Sequence, residues 1–121
     1  MARYMAIIDV TGEAFGALLK NPHDRKKAIE PFFSAIGGSV EHYWMGVGQN
    51  RLYIVINMPD NEIDMQAVSM MVFGSGIANA MDMVQLVTSE EAVTAMKRAS
   101  ELSYQSPTDC LTRERRSSIG M

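Results

Sequence analysis

A compact apolar run over residues 4–10 (YMAIIDV) is closed by Thr11 and Gly12. It is too short for three helical turns, so it predicts a strand. From residue 12 to 20 the spacing of Phe15, Leu18 and Leu19 becomes helical, and Asn21-Pro22 interrupts it. Asn21 is expected to cap a second helix, with Pro22 at its first position and Asp24 adding negative charge to the first turn. That helix carries Ala28, Ile29, Phe32, Phe33 and Ile36 on one face. Pro31 inside it should bend it or mark a local break. Gly37-Gly38 should end it, because glycine accepts the left-handed conformation that follows a last helical turn.

Residues 39–47 and 51–58 are rich in aromatic and β-branched side chains and flank Gly48-Gln49-Asn50, the pattern of a hairpin. Pro59-Asp60-Asn61 stops the second strand and opens a helix over residues 62–80. In it Ile63, Ala67, Met70, Met71, Gly74 and Ile77 form one stripe, while Met65, Val68 and Val72 fill the rest. A helix apolar nearly all round is expected to be buried on more than one side. Residues 81–87 predict the last strand, and Thr88-Ser89-Glu90-Glu91 is a capping box opening a helix to about residue 102. The order strand, broken helix, strand, strand, helix, strand, helix predicts an α+β fold, a ferredoxin-like βαββαβ plait with a four-stranded antiparallel sheet, followed by a C-terminal helix. One domain over residues 1–102 is expected. The polar residues 103–121 read as a flexible tail, dispensable for folding.

The strands do not alternate cleanly. Leu52, Ile54 and Ile56 share one face and Tyr53 and Val55 the other, and Ile7 and Ile8 point opposite ways. Helices can cover only one face of such a sheet. The other is expected to pair with a second copy, sheet on sheet, giving a homodimer or larger homo-oligomer.

At 121 residues with 47% apolar residues the chain suits a single domain, and its formal charge of −3 offers no net positive field for nucleic acid or anionic lipid. No stretch approaches the ~20 apolar residues of a membrane helix. The lone cysteine, Cys110, cannot form an intrachain disulfide and lacks the partners of a zinc site, which suggests a reducing, cytoplasmic setting. Eleven methionines raise the question of copper, but the five between Met65 and Met83 have no cysteine or histidine nearby. Core packing explains them better, so no metal and no cofactor is expected.

Five segments, taken in order, resemble the GYD domain proteins: NPHDR at 21–25, IGGSVEHYWMGVG at 36–48, INMPDN at 56–61, SGIANA at 75–80 and LVTSEEAVTAMKRA at 86–99. These are small bacterial ferredoxin-like domains related in fold to the dimeric α/β barrel group. The resemblance spans about residues 3–102 and implies a fold and self-assembly, without a reaction. The glycine, tyrosine and aspartate of the family's name should fall in the hairpin turn, where this chain has Gly48, Gln49, Asn50 and Arg51. Only Gly48 is kept, so any chemistry of that tyrosine or aspartate is not shared.

The related barrel group includes cofactor-free oxygenases and isomerases, which draws attention to His42-Tyr43-Trp44. Adjacent strand residues point to opposite faces, so His42 and Trp44 can share a site that Tyr43 cannot. With Tyr53 they could bind a flat apolar molecule, His42 serving as a base. The plainer explanation is packing for Trp44 and a satisfied polar neighbour in His42. His23 and Arg25 could hold an anion at a helix start, although capping accounts for most of that segment. Gly74-Ser75-Gly76 lacks the lysine of a phosphate loop and reads as glycines inside a helix. Two functions remain: a self-associating module that binds a small apolar ligand or a protein partner, and a cofactor-free oxygenase or isomerase acting near His42. The first is favoured, since no nucleophile, base and orienting group come together.

Overall fold

A computed structural model describes residues 1–108. The expectation of a flexible tail falls mostly on residues 109–121, which lie outside the described residues. The chain divides into two units, Met1–Leu86 and a second beginning at Val87.

The first unit runs β1 (Ala2–Val10), α1 (Gly12–Lys20), α2 (Arg25–Ala35), β2 (Ser39–Met45), β3 (Arg51–Met58), α3 (Glu62–Gly74) and β4 (Ala78–Leu86). The strands form one antiparallel sheet in the order β2-β3-β1-β4, the ferredoxin-like α+β plait. Its core comes from the period-two alternation of the two central strands. Ala6, Ile8 and Val10 of β1 and Leu52, Ile54, Ile56 and Met58 of β3 gather with Phe33 of α2 and Val68 of α3. Ala14 and Phe15 of α1 pack against the same cluster, so these three helices lie on one face of the sheet. Each fully buried Val, Leu, Ile, Phe or Met side chain among them contributes about 1.5–3 kcal/mol by leaving water.

The helix boundaries correct the sequence reading in two places. Asn21 closes α1, and Asp24 caps α2, its carboxylate accepting from the Lys26 and Lys27 amides at 2.9 and 3.4 Å. Pro22 disfavours helical backbone at Asn21, and aspartate caps as well as asparagine. Helix α3 ends at Gly74 rather than near residue 80. Ser75 is its cap, Gly76 follows at φ +77°, and Ala78 already pairs with Val10. The apolar run that continues the helical stripe is therefore the start of a strand. Pro31 does not break α2, which runs through it to Ala35. The helix then closes as a Schellman motif, with the Gly38 and Gly37 amides donating to the Phe33 and Ser34 carbonyls and Gly37 at φ +79°.

Only Val68 of α3 is buried. Ile63, Met70, Met71 and Phe73 are exposed, so burial of this helix on several sides is not met among the described residues. In the second unit, α4 (Ser89–Ser100) opens with the expected capping box: Glu91 N–H donates to the Thr88 hydroxyl and Thr88 N–H to the Glu91 carboxylate. Among the described residues no helix is long and apolar enough to cross a membrane.

Candidate functional site

The two faces of the sheet differ in kind. On the face away from α1, α2 and α3, the ladder sets Met5 opposite Val55 and Val84, Ile7 opposite Tyr53 and Asp82, and Trp44 opposite Tyr53. The register shifts between Val40 and His42, leaving Glu41 as the extra residue of a bulge. Its carboxylate accepts from Arg3 Nε at 3.1 and 3.2 Å and also from the Asn57 amide. These partners, first Arg3 and then Asn57, hold the Glu41 carboxyl below its usual range. At the opposite end of β1, Arg51 Nε donates to Asp9 at 2.8 Å, which raises the pKa of Arg51. A mostly apolar middle, with Asp82 at its β4 edge, thus lies between two polar ends.

His42 and Trp44 lie on this open face. Their rings stack at 4.5 Å with a 12° interplanar angle, and both are exposed. The Tyr53 hydroxyl donates to Gln49 Oε1 at 3.0 Å. The hairpin turn carries Gly48 at φ +75°, and Asn50 exchanges backbone bonding with Val10 through its own carbonyl and its side-chain amide. In this chain the turn residues that depart from the resemblance are structural.

On the helix side a cavity of about 300 Å³ lies between α2, α3 and the sheet. Ile29, Phe32, Val68, Met71, Ile54 and Met83 are among its walls, and its polar lining includes Arg25 and Tyr43. His42, Trp44 and Tyr53 are not part of it. Burial pushes the Tyr43 phenol up, and the charge and hydrogen bonding of the adjacent Arg25 partly oppose this. Arg25 Nη1 lies 3.1 Å from His23 Nε2, and His23 Nδ1 lies 2.7 Å from the Asn21 carbonyl oxygen. A second, more polar cleft beside α1 holds Glu13, Asn21 and His23, and it shares Arg25, Ser75 and Ile77 with the cavity.

The structure therefore brings His23 and Arg25 together and keeps them on the opposite side of the sheet from His42 and Trp44. Tyr43 was passed over in the sequence. The alternation that separates it from His42 is the signal that places it on the helix side. Among the described residues no group of three or more histidine, cysteine, aspartate or glutamate side chains could hold a metal ion.

No curated protein and no solved structure matches the chain. The model of the GYD domain matches residues 4–96, which takes in all of β1 beyond its first two residues, the rest of the plait and most of α4. The chain belongs to the GYD domain family.

Proposed function

We propose that this chain is a self-associating binding module that takes a small, mainly apolar ligand between its helices and its sheet. The cavity carries this reading. Its walls are core-type side chains, its volume of about 300 Å³ is at the small end for small-molecule sites, and the polar side chains Arg25, Tyr43 and Ser75 give it an orientation. Self-association is supported by the open face, where a mostly apolar middle between Arg3–Glu41 and Asp9–Arg51 has the layout of an interface core with a polar rim. A second copy related by a two-fold axis is its partner. Cys110, the lone thiol, suits a reducing cytoplasmic setting. An enzyme centred on His42 has less in its favour, because His42 is stacked on Trp44 away from the cavity.

Two measurements test the module. Light scattering at micromolar concentration should give at least twice the 13.4 kDa chain mass, and methyl NMR should show 1-octanol shifting the signals of Ile29, Val68 and Met83. A 13.4 kDa particle at every concentration removes self-association. Octanol shifts confined to the open face, or none at all, remove the binding site.

A further inference from the structure

We infer that the ligand of this cavity is an amphipathic anion, with its apolar body between α2, α3 and the sheet and its carboxylate held by Arg25 and the Tyr43 hydroxyl. The inference rests on the binding-module reading and adds the chemistry of the head group.

Arg25 is the hinge between two differently lined spaces. It lines the apolar cavity and also the cleft containing Asn21 and His23. The two spaces share Arg25, Ser75 and Ile77 as lining, so a molecule whose body fills the first meets the second at these residues. Ser75 already donates its hydroxyl to the Val72 carbonyl at 2.7 Å, leaving Arg25 as the cationic group at this junction.

Arg25 is not engaged in an ion pair among the described residues, where the three that occur are Arg3–Glu41, Lys26–Glu30 and Arg51–Asp9. Asp24, its neighbour in sequence, turns its carboxylate to the amides of Lys26 and Lys27. The guanidinium lies 3.1 Å from His23 Nε2, and Arg25 and Tyr43 line the same cavity. A planar fork of N–H donors beside a phenolic donor matches the two oxygens of a carboxylate. Glu13, in the neighbouring cleft, disfavours a head group that extends far beyond Arg25, so a compact monoanion fits better than a polyanion.

Isothermal titration of the full chain with sodium octanoate, 1-octanol and octylammonium chloride separates body from head. Octanoate should bind about tenfold to a hundredfold more tightly than octanol, the range for charge-assisted hydrogen bonds, and octylammonium more weakly than either. Arg25→Met should abolish the preference for octanoate while leaving octanol affinity within about threefold, which also reports that the variant is folded. Tyr43→Phe should reduce the preference by a smaller factor. Octanol binding as tightly as octanoate, or an unchanged preference in Arg25→Met, overturns the head-group assignment and leaves the apolar site standing. Failure of all three probes to bind overturns both.

Discussion

Trp44→Ala is the substitution that most directly tests pairing through the open face. Trp44 is 54% exposed although it sits in a strand. Of the roughly 250 Å² a tryptophan can bury, about 130 Å² is thus available to a partner. At roughly 25 cal/mol per Å² this area is worth about 3 kcal/mol per copy. A two-fold interface counts each residue twice, so the ceiling is about 6 kcal/mol, or about four decades in Kd. Alanine keeps part of the contact and ordering costs consume part of the gain, which brings the expected loss to two to four decades. Inside the protomer the variant loses the stack on His42, about 0.5–1.5 kcal/mol, so it should stay folded. Sedimentation equilibrium of both proteins over a wide concentration range reads the effect. Val84→Asp, at a site 45% exposed on the other side of the same face, should act in the same direction. A Trp44→Ala protein with an unchanged dissociation curve refutes the assignment of this face as the interface.

Ile56 is 1% exposed at the centre of the sheet, so Ile56→Ala should cost about 2–5 kcal/mol in urea unfolding, and a loss below 1 kcal/mol would contradict its place in the core. The folded-state pKa of Tyr43 is raised above 10.0 by burial, so its contribution to stability is complete below pH 10.0 and is lost as pH rises toward that raised value. Tyr43→Phe should flatten the alkaline limb of the stability curve, read by denaturation at several pH values. Glu41 behaves oppositely: its pKa is lowered from 4.5 by Arg3 and Asn57, so its contribution is complete above pH 4.5 and fades as pH falls through the depressed value. Glu41→Gln should flatten the acid limb, and an unaltered acid limb would show that the Arg3–Glu41 pair gives no pH-dependent stability.

Most of the fold was legible in the sequence because its signals are local. The alternation of Leu52, Ile54 and Ile56 needs only the two-residue period of a strand, and the Thr88–Glu91 box needs only four residues. Gly37-Gly38 stopped α2 where the left-handed cap requires it. The errors came where two signals compete over a short span. Around residues 74–80, apolar residues at helical spacing suggested continuation, but the pairing of Ala78 with Val10 is a long-range event that periodicity cannot register. At residues 21–24 two good caps stand three apart, and the proline between them decides in favour of Asp24. The exposure of Ile63, Met70, Met71 and Phe73 was illegible for a related reason: composition says that a helix is apolar, and says nothing about how many neighbours are present to cover it.

The site was partly legible, and β2 shows why. Its alternation puts His42 and Trp44 on one side and Tyr43 on the other, and that separation follows from strand geometry alone. Which side holds a cavity depends on how α2 and α3 pack against the sheet, a long-range arrangement that the sequence of β2 does not record. The aromatic pair therefore points to the open face, while the cavity lies behind the residue between them. The same one-residue step divides the strand's work. Residues 42 and 44 supply flat, exposed surface suited to a second copy, and residue 43 carries a phenol to the single-protomer cavity beside Arg25. Self-association and ligand binding are then separable by substitution: changes at Trp44 should alter mass and spare octanoate binding, and changes at Arg25 should do the reverse. If Trp44→Ala weakens octanoate as strongly as Arg25→Met does, the two faces are coupled through the sheet, and the assignment of one role to each is wrong.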